Sequence, residues 1–390
     1  MPSLHRPLRR WQELALQEWL NNGKRGIVSV VTGGGKTFFA LNCINEFQRK
    51  TAAATVLITV PTTALVDQWL EELISFFDMP PKFVHLLTGK GGLKRGRINI
   101  GVINTAAKLA SLANTPEVFL VVDECHKAAS PAFREIFNIE KRASLGLSAT
   151  PERPYDNWFE EILVPELGPV IYKYSYAEAL RDGVIVPFRL NNVLFEFTEN
   201  EQREYDEITK KISRAVSQHG TESDQAIRLL LKRARFSNSS PTRVRIALKI
   251  IARHRDKKIL VFHEDIQAAE FLFEVLRQNE VPAGIYHSRI PLPRRVATLH
   301  DYRAGRISVL VSCRALDEGF NVPESEIGII AASTATYRQR IQRLGRVLRP
   351  APDKERAIIY SIVASIPEIR RLAAEAEDLK EIAEIEWSRA

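Results

Sequence analysis

Short apolar runs without polar alternation recur along this chain, each leading into a helical stretch. In the first part they are Ile27–Val31, Val56–Val60, Ile98–Ile103 and Phe119–Val122. The pattern resumes after about residue 257 with Ile259–Phe262, Val309–Ser312, Ile327–Ala331 and Ala357–Tyr360. A strand wetted on one side alternates polar and apolar residues, whereas an unbroken apolar run suits a strand covered on both faces. Such strands form parallel sheets, and parallel neighbours need helical crossovers. Thr63–Phe77, Gln267–Gln278 and Tyr337–Val347 have the amphipathic pattern for that role. The expectation is an α/β protein with two parallel-sheet domains in tandem. The length, 390 residues, allows two or three domains.

The stretch Glu199–His254 reads differently. Thr198 is placed to cap a helix with acidic residues in its first turn, and the sequence continues with helical periodicity and little strand character. We therefore divide the chain into an N-terminal domain at 1–190, a helical insert at 191–255 and a C-terminal domain at 256–390. The last stretch, PEIRRLAAEAEDLKEIAEIEW, reads as a charged terminal helix that packs on the second domain or docks a partner.

Lys plus Arg number 55 and Asp plus Glu 47, a net charge of +8 that favours polyanionic partners without proving them. Cys43, Cys125 and Cys313 are far apart and show neither metal-binding nor disulfide spacing. The first residues have no apolar signal-peptide core, and no apolar stretch approaches membrane length. These features together predict a cytoplasmic protein.

The chemistry starts at VVTGGGKT, residues 30–37. A strand feeding a glycine-rich turn and then a helix points backbone amides at phosphate. Thr32, Gly33, Gly34 and Gly35 form the turn, Lys36 reaches the β- and γ-phosphates, and Thr37 offers a hydroxyl to Mg²⁺. The first glycine of the general P-loop pattern is replaced by Val30. The second element is VFLVVDECHKA, where Asp123 and Glu124 follow a buried run. In an open parallel sheet, that end faces the ligand crevice. An Asp there can hold Mg²⁺, and the neighbouring Glu can orient or deprotonate water. A lone Asp-Glu pair is ordinarily two solvated carboxylates; the upstream glycine loop changes that reading.

Taken in order, the motifs resemble those of superfamily-2 helicases and translocases. LRRWQELAL (8–16) is similar to the adenine-reading Gln motif and points to Gln12. VTGGGKT (31–37), VPTTALVDQW (60–69), INTAAKL (103–109), DECH (123–126) and LSATPER (147–153) resemble motifs I, Ia, Ib, II and III. KILVFHEDIQAAEFL (258–272), CRALDEGFNVPES (313–325) and QRIQRLGRVLRP (339–350) resemble motifs IV, V and VI. DECH, SATPER, DEGFNVPE and QRLGRVLRP together look like the XPB-like and type I restriction-motor branch, which acts mostly on DNA, and less like the DEAD-box RNA helicases.

The resemblance implies two RecA-like domains with ATP and Mg²⁺ between them, and a nucleic-acid-dependent ATPase. Asp123, Glu124, Gln342, Arg346 and Arg349 would serve catalysis, with Gln342 positioning water and the arginines acting as fingers. Gln12, the loop residues 32–37 and Gly319 would hold the nucleotide. His126, Ser148 and Thr150 would link nucleotide to nucleic acid, unless they are a cap histidine and a structural turn. Thr62, Thr63 and Thr105 would contact phosphates of the strand. In motif V, Asn321 stands where many relatives carry Asp.

GKGGLKRGR (89–97) reads as a flexible basic loop, either a strand contact or simply solvated. Lys210, Lys211, Arg214, Lys232, Arg233 and Arg235 give the insert a basic character that suits either a DNA grip or a plain bridge. The leading expectation is an ATP-driven DNA motor serving partner proteins in repair, restriction or defence. Two motor domains and an insert account for the length, so nuclease or recognition functions would come from partners. The alternatives are an RNA helicase, or a nucleic-acid-binding scaffold with a vestigial ATPase.

Overall fold

The computed structural model describes residues 7–51, 54–88, 91–110, 118–151, 157–221, 223–313, 325–332, 345, 347–351 and 354–390. The chain divides into two compact units between Ala179 and Leu180.

The first unit holds seven strands among its described residues: β1 (Arg25–Val30), β2 (Thr55–Val60), β3 (Val84–Leu86), β4 (Ile98–Val102), β5 (Val118–Asp123), β6 (Lys141–Ser148) and β7 (Val170–Tyr174). They form one sheet in the order β3-β4-β2-β5-β6-β1-β7, and each pairing is parallel. Helix α1 (Arg10–Asn21) precedes β1, helices α2 (Lys36–Lys50), α3 (Thr63–Phe77), α4 (Ile103–Ala110) and α5 (Val164–Leu167) lie between strands, and α6 (Tyr176–Arg181) follows β7. Every residue of β2 and of β5 is buried, as the unbroken apolar runs require. On one face Trp19 and Phe47 each lie 5.1 Å from Phe119, and the Trp19 indole N–H donates to the Ser144 carbonyl at 3.0 Å. The aromatic packing is dry and its one polar handle is satisfied.

The second unit repeats the design with β8 (Phe188–Leu194), β9 (Ile259–His263), β10 (Ala283–Tyr286), β11 (Val309–Cys313), β12 (Ile327–Ile330), β13 (Ala357–Val363) and β14 (Ala383–Arg389). Their order is β10-β11-β9-β12-β13-β8-β14, again parallel throughout. Its helices are α7 (Glu199–His219), α8 (Asp224–Asn238), α9 (Pro241–Arg253), α10 (Ile266–Gln278), α11 (Leu292–Arg303) and α12 (Ile366–Leu379). Thr198 caps α7 as its sequence predicts: its hydroxyl accepts from the Glu201 amide at 3.4 Å, and Glu201 accepts from the Thr198 amide at 2.9 Å. Helix α9 packs Val244, Ala247 and Ile251 into the same core as β9, β11 and β12.

Three sequence expectations need correction. The segment 188–194 is not linker: β8 crosses the expected boundary at 190 and pairs with both β13 and β14. Its paired asparagines, Asn191 and Asn192, disguised it, since Asn is a poor strand former by itself. The terminal stretch is helical only to Leu379; AEIEWSR then forms β14 beside β8. There the segment pairs along its length with β8, and Arg189 bonds Glu384 at 2.8 Å and Glu386 at 3.5 Å across the pair, an extended setting for a Glu-rich stretch of helical propensity. The basic loop after Gly91 is not loose along its length. Buried Asn99 donates to the carbonyls of Lys94 and Arg97 and accepts from the Lys94 amide, tying residues 94–97 to β4. The expected helix Tyr337–Val347 lies largely outside the described residues.

Candidate nucleotide-binding site

Parallel pairing brings the carboxyl ends of three strands of the first unit level. Ser29 of β1 is opposite Ser148 of β6, and Leu147 of β6 is opposite Asp123 of β5. The glycine loop, the Ser148–Thr150 turn and the Asp123–Glu124 pair therefore emerge side by side from one sheet edge, where ligands of open parallel sheets bind.

The loop is shaped by its glycines. Gly35 has φ +96°, a left-handed conformation, and is the residue before α2. At Gly34, an added Cβ would fall 2.4 Å from the Val30 side chain. No side chain caps the first amides of α2, and the Thr32 hydroxyl is buried without a hydrogen-bond partner among the described residues. Donors left uncommitted at a helix start fit the phosphates of a nucleotide.

Lys36, the first residue of α2, extends to Glu124, with Nζ 3.3 Å from Oε1. Burial pushes the Lys36 ammonium down, but the carboxylates of Glu124 and Asp123 outweigh it and hold its pKa above the ordinary lysine value. The two carboxylates are driven apart. Burial pushes Glu124 up, but Lys36 and then His126 prevail and keep it below the ordinary glutamate value. Asp123 is raised, by burial first, with Glu124 adding to the rise and Lys36 opposing it. Its Oδ1 accepts from the Glu124 amide at 3.0 Å and its Oδ2 from the Trp69 indole at 3.0 Å. Glu124 itself sits at φ +48°, ψ +51°, a left-handed backbone rare for a residue with a side chain. The strand ends there with a sharp turn, and the two carboxylates take different side-chain partners, Trp69 for Asp123 and Lys36 with His126 for Glu124.

His126 and Ser148 meet across β5 and β6, with Nδ1 and Oγ 3.1 Å apart, and both are buried. Ser148 Oγ also accepts from the Thr150 amide at 3.1 Å. His126 Nδ1 lies 3.5 Å from Glu124 Oε2, so the DECH and SAT segments form one contiguous polar chain. Thr62 caps α3, accepting from the Leu65 amide at 3.4 Å, and Thr63 is the first residue of that helix. Thr105 lies in α4 and is half-buried. Thr37 follows Lys36 in the first turn of α2.

Gln12 is 2% exposed, and both ends of its amide engage the protein's own backbone. Nε2 donates to the Gly35 carbonyl at 3.0 Å, and Oε1 accepts from the Arg9 amide at 2.9 Å. In this structure it braces the loop. Arg9, which the sequence reading passed over, donates to the Gly34 carbonyl at 2.9 Å. Trp69 and Arg9 are thus supporting residues that motif spacing did not reveal; each sat inside a quoted motif, and only the fold shows the atom it holds.

In the second unit Arg349 is half-buried, at the end of the motif VI-like run. Gln342, Arg346 and Gly319 lie outside the described residues. Of the insert's basic residues, Lys210, Lys211, Arg214, Lys232 and Arg235 are exposed, whereas Arg233 packs over the Tyr205 ring at 5.5 Å and bonds the Thr209 hydroxyl at 3.3 Å. The three cysteines are buried and form no disulfide among the described residues. No helix among the described residues is long and apolar enough to cross a membrane.

Comparison with known proteins agrees with this geometry. Residues 5–153 match the family model "Type III restriction enzyme, res subunit", and residues 242–351 match "Helicase conserved C-terminal domain". The chain is 28% identical over 385 residues to the DNA 3'-5' translocase XPB2 of Sulfurisphaera tokodaii, covering 93% of this chain and 83% of that protein. It is 25% identical over 377 residues to the DNA 3'-5' helicase XPB of Mycobacterium tuberculosis, where it spans 93% of this chain but 62% of the relative. The fold matches a putative HsdR subunit of a type I restriction enzyme from Vibrio vulnificus with TM-score 0.67 and 16% identity, over 99% of this chain and 69% of that one. With two RecA-like sheets and both helicase models matched in order, the chain carries the paired domains of the superfamily-2 helicases and translocases, nucleic-acid-dependent ATPases, and among their members it is similar to XPB-like DNA translocases and helicases.

Proposed function

We propose that the chain is an ATP-dependent DNA helicase or translocase, acting as the motor of a repair, restriction or defence system. The observation that carries this reading is the Lys36–Glu124 ion pair, 3.3 Å long, beside the Trp69-anchored carboxylate of Asp123 at the mouth of a glycine loop. DNA as substrate is supported by the 28% identical translocase relative and by the net charge of +8.

The division of labour follows from the chemistry. Lys36, with its pKa held up, stays a cation and cradles the β- and γ-phosphates. Thr37 and Asp123 would hold Mg²⁺, which would supply charge neutralisation at the phosphate oxygens. Glu124, kept deprotonated by Lys36 and His126, orients the attacking water and accepts its proton. Gln12 ties adenine recognition to the loop through its bond to Gly35. Arg346 and Arg349 meet the charge that spreads over the γ-phosphoryl group, and Gln342 aligns the water; such late cations accelerate transfer by ~10³–10⁵. Gly319 lines the nucleotide side of motif V. The His126–Ser148–Thr150 chain passes the state of Glu124 to the nucleic-acid groove, where Thr62, Thr63 and Thr105 contact strand phosphates.

The test is ATP turnover by the purified chain alone and with single-stranded DNA, duplex DNA and a matched RNA. Duplex DNA should raise turnover by about tenfold or more. Stimulation by RNA alone would make the chain an RNA motor, and absence of turnover under every condition would leave only a binding scaffold.

A further inference from the structure

Lys354 hides its charge. The residue is 8% exposed, and its ammonium donates to three backbone carbonyls: Ser325 at 2.7 Å, Arg349 at 2.8 Å, and Val347. A lysine ammonium has three N–H bonds to donate, and among the described residues these carbonyls accept from it. Burying such a charge is costly unless its donors are met.

The identity of the acceptors matters. Ser325 closes the motif V-like run 313–325, while Val347 and Arg349 belong to the motif VI-like run 339–350. Residues 345 and 347 are helical and 348 is not, so Val347 stands at a helix end. Carbonyls there lack intrahelical partners and carry the negative end of the dipole, which a cation satisfies. The same ammonium grips the far segment at Ser325, whose hydroxyl bonds the buried Tyr302 at 2.8 Å. Leu348, between the two gripped residues, accepts from the Val186 amide at 2.9 Å. One side chain therefore fixes the backbone that carries Arg349 to the end of the other segment.

We propose that Lys354 is a positioning residue of the motor: it sets where Arg349 stands relative to motif V, and so controls the chemical step without touching nucleotide. This rests on the ATPase reading above. A misplacement of about 1 Å at a reacting centre costs roughly a hundredfold in rate.

The experiment measures DNA-stimulated ATP turnover, ATP KM, DNA affinity and thermal unfolding for wild type, Lys354→Met, Arg349→Ala and the double variant. Lys354→Met should lower kcat by ~30–100-fold while ATP KM and DNA Kd stay within about threefold. The double variant should be no slower than Arg349→Ala, because the lysine acts through that arginine. A wild type without turnover would sink the ATPase reading itself. An active wild type with an equally active Lys354→Met, or losses that multiply in the double variant, would overturn this proposal alone. Should the Met variant not fold, Lys354→Gln, which keeps donors without charge, is read in the same way. If both lose fold together with nucleotide and DNA binding, Lys354 serves stability only and the proposal falls.

Discussion

At the scale of single residues, the candidate site depends on supports that no motif states. Trp69 is fully buried and gives its indole N–H to Asp123, so the carboxylate cannot rotate freely. Outer partners of this kind typically affect metal affinity or activity by 10–100-fold. Trp69→Phe keeps most of the volume and removes the donor. We expect it to raise the Mg²⁺ concentration needed for half-maximal turnover about tenfold and to leave DNA binding unchanged; a titration of ATPase rate with Mg²⁺ checks this. The loop and the acidic pair were legible in the sequence because they occur together, each at the end of an unbroken apolar run; either one alone would read as a turn or as solvated carboxylates. Arg9 and Trp69 were not, because the atoms they hold belong to strands and turns distant in the chain. Gln12 was legible as a site residue, but its bonds to Gly35 and Arg9 could be seen only once the loop had a shape.

At the scale of elements, the insert is bound into the second sheet by a buried arginine. Arg243 of α9 is fully buried and bonds both oxygens of Glu368, at 2.7 and 2.8 Å, the Ser237 carbonyl at 2.7 Å, the Ala331 carbonyl at 3.1 Å and the Ile362 carbonyl. The ends of α8, β12, β13 and α12 thus converge on one guanidinium. Removing one member of a buried pair strands the other, so Arg243→Met should cost about 3–5 kcal/mol, with Glu368→Met in the same chain recovering much of it. Thermal unfolding of the three variants decides it; an unchanged Tm for Arg243→Met would refute the role. The pair also sets an acid limit. Burial pushes the Glu368 carboxyl up, but Arg243 and the donors of Ser365 and Ala364 prevail, leaving it below the ordinary value of 4.5. A lowered folded-state pKa means the stabilisation is full above the unfolded value and is lost as pH falls through the folded one. Unfolding temperature should therefore drop below pH ~4.5 in the wild type, and less so in the double variant. Elements with unbroken apolar runs, such as β2 and β5, could be read from sequence. Those whose strand character comes from their neighbours, β8 with its asparagines and β14 with its glutamates, could not.

At the scale of the whole molecule, each unit carries its own parallel sheet and core, and the resemblance read from ordered motifs covers both. The exposed lysines and arginines of α7 and α8, with the net charge of +8, predict an interaction with DNA governed by phosphate neutralisation. Raising salt from 50 to 200 mM should weaken DNA affinity by ~10² or more, with a linear log–log dependence. Fluorescence anisotropy with a labelled duplex measures it, and a flat salt response would remove the electrostatic account. Reversing Lys210, Lys211 and Lys232 to Glu should flatten the slope if α7 and α8 grip the backbone.

The strand that feeds the glycine loop has late partners. β1 begins at Arg25, yet it is flanked by β6 and β7, whose pairings reach from Ser144 to Tyr174. On a ribosome, the nascent β1 would wait for both of its neighbours until well over a hundred further residues had been synthesised and threaded into place. Gain of nucleotide retention during translation would then report completion of the first lobe, a stage reached before the segment that carries Arg349 has been made.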